Sequence, residues 1–319
     1  MISLDDFRSA RQRLHGITLH TPLLPYTASP AGRRLFFKPE SLQPIGAFKL
    51  RGAYNKIASL TPEGRDRGII AFSSGNHAQG VAYAARALGV RSVIIMPAAA
   101  PEVKRARTAA LGAEIVLTEH GGEPQWRALA EQMSAEHGYV IVHPFNDETI
   151  IAGQGTTGLE ILEDLPEVET VLVPIGGGGL ISGVAAAVKL QRPEVRVIGV
   201  EPELAADAQA SLRAGRVVEW PVEQTRQTIA DGMRTPRIGD VTFAHISAYV
   251  DDIVTVSEAE IRQAVRRLAL EARLVAEPSG AVTFAAWLNR GDQLPPARAT
   301  VAVISGGNVD PRLLAEIIA

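Results

Sequence analysis

Lys49 sits among Ala47, Phe48 and Leu50 in the run ESLQPIGAFKLRG, residues 40–52. An amine in apolar surroundings gives up its proton more readily than one in water, and the neutral amine can form a Schiff base with a carbonyl. Read alone, a lysine snorkelling to the surface is the safer reading of the position. A second signal is IGGGGL at 175–180, between a strand-like run and a helix-like one. Successive glycines let backbone N–H groups converge on an anion, and a helix N-terminus adds partial positive charge, so a phosphate fits. A plain strand-to-helix turn would need one glycine, not four. The segment is not a P-loop, because no Gly-Lys pair occurs in the chain, and it does not match GxGxxG. A third signal, SSGNHAQG at 73–80, offers two hydroxyls, an amide and backbone donors at another helix start. That set suits a carboxylate, where an ordinary N-cap would need one serine or asparagine. His77 within it reads as either a core partner or a ligand. The fourth, SGGN at 305–308, is a glycine turn when read alone.

In open α/β sheets ligands bind beyond the carboxyl ends of strands, so these turns need strands before them. Apolar runs at 68–73, 92–96, 114–117 and 139–142 read as buried strands, with helix-like stretches at 78–88, 101–111 and 124–136 between them. A second series follows: a strand at 170–174, a helix at 182–190 and a strand at 195–200. A strand at 300–304 and a helix at 311–318 close the chain. Continuous apolar strands alternating with helices predict parallel sheets covered on both faces. Residues 258–275 carry Ile261, Val265, Leu268, Ala272 and Val275 at helical spacing, with arginines 262, 266, 267 and 273 read as a solvated face.

Composition narrows the classes further. The length, 319 residues, suggests two domains at roughly 150 residues each. Apolar residues at 46% and charged ones at 21% exclude a disordered chain. Thirty-two basic against 35 acidic residues leave no basic footprint for nucleic acid. With no cysteine, disulfides, thiolate nucleophiles and cysteine-held metals are excluded. No run reaches the ~18 apolar residues of a membrane span. The N-terminus MISLDDFRSARQRL lacks the apolar core of a secretory signal, so a cytoplasmic protein is expected. Twenty-nine glycines exceed the usual ~7%. Those at 46, 52, 75, 80, 176–179, 306 and 307 are expected in turns facing one ligand.

Together, a phosphate cradle, a carboxylate cradle and an amine nucleophile meet the needs of pyridoxal phosphate chemistry on an amino acid. The chain resembles the fold-type-II pyridoxal-phosphate enzymes, in the serine/threonine dehydratase and serine racemase branch. The resemblance runs from HTPLLP near residue 20 to SGGNVD at 305–310. ESLQPIGAFKLRG, SSGNHAQG, AGQGT, PIGGGGLISG, EPSGA and SGGN occur in that family's order. It implies two open, twisted parallel-sheet α/β domains of the tryptophan-synthase-β-like type, with the cofactor in the cleft between them. Residues 1–67 with 146–319 are expected to form the large cofactor-binding domain, and 68–145 a small mobile one.

By the same resemblance Lys49 holds the cofactor as a Schiff base, with Phe48 packing near the ring. Asn76 is implied to bond the ring hydroxyl, Gly176, Gly177, Gly178 and Gly179 with Leu180 to wrap the phosphate, and Ser305 to meet the pyridine nitrogen. A neutral serine cannot hold that nitrogen protonated, which weakens the electron sink and suits elimination over transamination. The implied reaction is α,β-elimination on an L-3-hydroxyamino acid, serine or threonine. The freed Lys49 amine removes the Cα proton while Ser73, Ser74, Asn76 and His77 anchor the carboxylate. The hydroxyl leaves with help from the cofactor phosphate, and aminoacrylate hydrolyses to a 2-oxo acid and ammonia. Ser74 matches the serine that serves racemases of this branch as acid/base on the opposite ring face, which keeps serine racemisation open. Arg127 and the pair Arg234–Thr235 are candidate contacts to the far end of the substrate. A positive charge there would favour a second carboxylate, as in 3-hydroxyaspartate.

A cation site is also implied. The family pattern E-P-x-x-A-x-D appears as EPELAAD, giving Glu201, the Ala205 carbonyl and Asp207 as ligands for Mg²⁺ or Ca²⁺. Two surface acids after a strand are the plain alternative. Ile45 and Ala47 depart from the family's usual residues, and Pro44 stands where animal serine racemases carry a nucleotide-binding lysine, so ATP activation is not implied. No regulatory domain follows residue 319, so feedback control by isoleucine is not expected. A homodimer is expected from the family, with no nucleic-acid or membrane partner. The rival from another class is a nucleotide-binding dehydrogenase. Glu201 lies about twenty residues past the glycine turn, where an acid would grip a ribose. The broken fingerprint, Lys49 and SGGN count against it, and a non-catalytic binding module would have no use for Lys49.

Overall fold

The computed structural model describes residues 1–73, 75–100, 102–119 and 122–319, with the backbone alone at 103 and 104. The strands run as β1 (Leu24–Pro25), β2 (Arg34–Pro39), β3 (Ile69–Phe72), β4 (Ser92–Pro97), β5 (Glu114–Thr118) and β6 (Val140–Ile141). They continue as β7 (Thr170–Pro174), β8 (Arg196–Pro202), β9 (Asp252–Val256) and β10 (Ala299–Ile304). Among the described residues they form a six-stranded sheet, β1-β2-β10-β7-β8-β9, and a four-stranded one, β5-β4-β3-β6. All pairings are parallel except β1 with β2 at the edge. Every residue of β3, β7 and β10 is buried, as strands covered on both faces require. The fold is therefore the two-sheet α/β architecture expected. No helix among the described residues is long and apolar enough to cross a membrane.

Several features differ from expectation. Helix Glu148–Asp164 was not anticipated, because its buried residues run unbroken from Ile150 to Ile161 and leave no polar face to mark a period. It crosses helix Gly179–Lys189 at contact distance. A Cβ on Gly183 would lie 2.5 Å from the Gly155 amide, and one on Gly155 would lie 2.1 Å from the Phe7 ring. The helix at 258–275 stops at Arg267, passes through a wide turn, Leu268–Ala272, and breaks at Arg273 in the left-handed region (φ 57°). Its arginines do lie at the surface: Arg262 pairs with Glu316 and Arg267 with Glu271. The glycines at 52 and 80 lie inside helices, not in turns. A Cβ on Gly52 would sit 2.4 Å from Gln154, and one on Gly80 3.1 Å from the Lys49 carbonyl, so both serve helix packing.

A buried charge network ties these helices together. Arg51 Nε and Nη2 donate to the Glu40 carboxylate (2.7 and 2.8 Å), and Nη1 and Nη2 to Glu160 (2.6 and 2.9 Å). Lys38 Nζ lies 2.7 Å from Glu160 and donates to the Thr21 carbonyl at 2.6 Å. Burial pushes the Glu40 carboxyl up, but Arg51 and Lys38 outweigh it and hold the group ionised. The network joins β2, the turn Glu40–Leu42, helix Lys49–Ala58 and helix Glu148–Asp164.

Candidate active site

Lys49 is the first residue of helix Lys49–Ala58. It is half-buried, and its Nζ donates to the Pro144 carbonyl at 2.8 Å and lies 5.2 Å from the centre of the Phe48 ring. Burial lowers the ammonium from its ordinary 10.5 to about 8. The partner is a neutral carbonyl, not a carboxylate that would hold the charge.

The backbone before Lys49 is stitched to the turn that follows β10. Phe48 N donates to the Ser305 carbonyl at 3.0 Å and Gly307 N to the Gly46 carbonyl at 2.9 Å, around an Ala47–Gly306 bridge. Gly46 has φ 73°, and a Cβ there would lie 2.7 Å from Asn308 Oδ1, so two independent constraints demand glycine. Asn308 Nδ2 donates to the Ile45 carbonyl and to Asn76 Oδ1, both at 2.8 Å. Asn76 in turn donates to Glu277 Oε1 at 2.7 Å. The EPSGA and SGGN turns touch as well, since a Cβ on Gly280 would lie 2.4 Å from the Gly306 carbonyl. Ser305 is buried, its Oγ 3.5 Å from the Ser279 carbonyl.

The glycine loop meets this assembly through Phe145, one residue beyond the carbonyl that holds Lys49. A Cβ on Gly177 would lie 2.2 Å from the Phe145 ring, and one on Gly179 3.0 Å from its Cβ. Gly178 has φ 90°, and helix Gly179–Lys189 begins immediately after it. A Cβ on Gly176 would lie 3.0 Å from the Gly232 carbonyl and 3.7 Å from Thr235 Oγ1. That hydroxyl is buried and finds no hydrogen-bond partner among the described residues.

In the carboxylate cradle, Ser73 Oγ accepts from Gly75 N at 3.2 Å, and helix Asn76–Leu88 follows. Ser74 lies outside the described residues. His77 turns inward: its Nε2 is 2.9 Å from the Val142 carbonyl, and burial together with Lys49 pushes its pKa down to about 3. Arg127 is exposed on helix Glu123–His137. Arg234 folds back, donating from Nε and Nη2 to the Thr228 carbonyl at 2.9 and 2.7 Å. One segment unforeseen in the sequence, residues 143–147, organises the centre. Its Pro144 carbonyl meets Lys49, its Phe145 meets the glycines, and its His143 Nδ1 accepts from the amides of Phe145 and Asn146 at 3.3 and 2.9 Å. The four glycines were the signal available for it, since small residues in a row ask for a bulky partner.

Residues 16–306 match the family described as pyridoxal-phosphate dependent enzyme. The chain belongs to that family. An L-threonine ammonia-lyase of Thermotoga maritima is 46% identical, over 100% of this chain and 78% of that protein. The L-threo-3-hydroxyaspartate ammonia-lyase of Saccharomyces cerevisiae is 42% identical, over 90% and 86%. The structure of maize serine racemase superposes with a TM-score of 0.93 at 36% identity, covering 98% of this chain and 96% of that one. The residues of this pyridoxal-phosphate enzyme fit the cofactor. The Lys49 amine is placed for a Schiff base, and Thr235 offers an unsatisfied buried hydroxyl beside the first glycine of a helix-capping loop. Replacing Thr235 by valine should weaken cofactor binding about tenfold, the worth of one charge-assisted hydrogen bond. Because the hydroxyl has no hydrogen-bond partner among the described residues, thermal stability of the cofactor-free form should not fall. Fluorescence titration and melting curves with and without cofactor check both halves.

Glu201 is fully buried, with Oε1 accepting from Ala208 N at 3.0 Å and Oε2 from Gln209 N at 2.8 Å. It is therefore closed to a ribose, which removes the one residue that favoured a dehydrogenase. Asp207 Oδ2 is buried without a hydrogen-bond partner among the described residues. Burial pushes Asp207 up to about 7, and burial with Asp207 alongside raises Glu201 as well. Two such carboxylates call for a cation or a proton. Among the described residues no cluster of three or more metal-binding side chains gathers here, so a cation would rest on these two, carbonyls and water.

Proposed function

We propose that this pyridoxal-phosphate enzyme is an ammonia-lyase that converts an L-3-hydroxyamino acid to a 2-oxo acid and ammonia. The observation that carries the reading is the Lys49 amine, shifted toward neutrality and bonded to a backbone carbonyl. Gly176, Gly177, Gly178, Gly179 and Leu180 with Thr235 would hold the phosphate, Phe48 the ring face, Asn76 the ring hydroxyl and Ser305 the pyridine nitrogen. Bound there, the cofactor supplies an electron sink for negative charge developing at the substrate Cα. With cofactor and substrate bound, the free Lys49 amine would take the Cα proton. Backbone and hydroxyl donors at 73–77 anchor the substrate carboxylate at the start of helix Asn76–Leu88. The 3-hydroxyl departs as water, the proton lost from Cα balancing the charge, and the enamine released takes up water to give the 2-oxo acid and ammonia.

The finer assignments belong to the same reading: residues 1–67 with 146–319 as the large domain, 68–145 as the small one, a cytoplasmic homodimer, and Mg²⁺ or Ca²⁺ at Glu201, Ala205 and Asp207. The likeness to maize serine racemase supports a second activity, racemisation of serine, for which Ser74 is the acid/base the sequence offers. A panel of L- and D-serine, L-threonine and L-threo-3-hydroxyaspartate, assayed for 2-oxo acid and for chirality, tests both. No 2-oxo acid from any of them overturns the lyase reading. Removing divalent cations with EDTA should lower the melting temperature by several degrees, and Mg²⁺ or Ca²⁺ should restore it. Indifference to both overturns the cation assignment.

A further inference from the structure

His143 precedes the carbonyl that holds Lys49, and its ring has one orientation and one tautomer. Two backbone amides, those of Phe145 and Asn146, both donate to Nδ1. Nδ1 must therefore be an acceptor, and the proton of the neutral ring resides on Nε2. The ring is gripped edge-to-face by Phe72 and Phe145, with centroids 5.4 and 4.8 Å away. Phe72 ends β3 and leads directly into Ser73 of the carboxylate cradle. The imidazole thus packs on the strand end that leads into Ser73 and precedes the carbonyl that holds the Lys49 amine, close enough to that amine to feel its charge, with its Nε2 edge facing away from the Nδ1 turn.

We infer that His143 donates its Nε2–H to the 3-hydroxyl oxygen of the substrate and so orients the leaving group. The inference rests on the ammonia-lyase reading above. The groups acting on the ring come from every side: Arg127 on helix Glu123–His137 and Lys49 on helix Lys49–Ala58 repel a second proton, His77 lies nearby, and Asp147 alone attracts one. Burial, Arg127 and Lys49 together push the imidazolium down to about 4. A neutral imidazole is far too weak an acid to surrender its proton, so His143 acts by hydrogen bonding and no proton leaves it.

His143→Asn separates this role from a structural one, because an asparagine side-chain oxygen can still accept from the two amides but no donor remains at Nε2. The variant should melt like the wild type and lose about 10²-fold in kcat on L-threonine with little change in KM, as for loss of one preorganised donor. With 3-chloro-L-alanine, whose chloride departs without needing a hydrogen-bond donor, kcat should stay close to wild type. Equal losses on both substrates, or no loss on threonine, overturn the role and leave the lyase reading intact. A wild type inert toward every 3-hydroxyamino acid overturns both. Nitrogen-15 NMR of the wild-type protein gives a check that no variant's folding can spoil. His143 should appear as the neutral Nε2–H tautomer between about pH 6 and 8, and an Nδ1–H or doubly protonated ring overturns the inference.

Discussion

Lys49→Ala should abolish 2-oxo-acid formation, with a loss of roughly 10⁴-fold or more, since one side chain serves as both attachment point and base. The visible absorbance of cofactor bound to the lysine should vanish with it. The same substitution should stabilise the cofactor-free protein, and the sign can be worked out. An unfolded lysine titrates near 10.5, whereas burial lowers the folded one to about 8. Below pH 8 the folded protein must therefore keep a charge in a poor environment, and this cost fades as pH rises from 8 to 10.5. The stabilising effect of Lys49→Ala should be full at pH 7 and shrink across that window. Urea denaturation of the cofactor-free proteins at pH 7 and pH 10 measures it. A variant less stable than wild type at pH 7 would show that the amine is well accommodated, contrary to the geometry.

Arg51→Met should be the most damaging substitution outside the reacting groups. It leaves the carboxylates of Glu40 and Glu160 buried with Lys38 as their one remaining cation in the network. Breaking a buried pair in this way costs about 3–5 kcal/mol, a large share of the ~5–15 kcal/mol that holds a domain folded. Adding Glu40→Gln should recover more than half of the loss, because Lys38 and Glu160, 2.7 Å apart, then balance each other. The pair of substitutions forms a double-mutant cycle readable by denaturation. Additive losses would mean that Glu40 and Arg51 do not depend on each other.

Much of this could be read in the residues because the turns carry chemistry that core packing does not require. Four consecutive glycines, a lysine in an apolar run and a serine-rich helix start are each costly unless used. β7 was legible to the residue, because a strand buried on both faces is apolar throughout. β2 was not, since Lys38 interrupts its pattern, and only the structure reveals the carboxylate that neutralises that lysine inside the core. The role of residues 143–147 was equally hidden. His143 is defined by two amides in its own turn and by Phe72, seventy-one positions earlier in the sequence. Gly52 and Gly80 were misplaced for the converse reason: a glycine opens space for a neighbour, and sequence alone does not say whether the neighbour is a ligand or a helix.

The pairing of β2 with β10 has a consequence for how the enzyme is made. Arg34–Pro39 finds its parallel partner in Ala299–Ile304, and the backbone before Lys49 is pinned by residues 305–308. A ribosome making the chain from its N-terminus releases the lysine long before its clamp at 305–308. Until then the future catalytic segment lies beside an unpaired strand edge, the kind of surface that invites aggregation. Cofactor added during synthesis has no complete site to enter until residues 305–308 have emerged and paired with the segment before Lys49. Stalled chains ending before residue 299 would be expected to stay colourless.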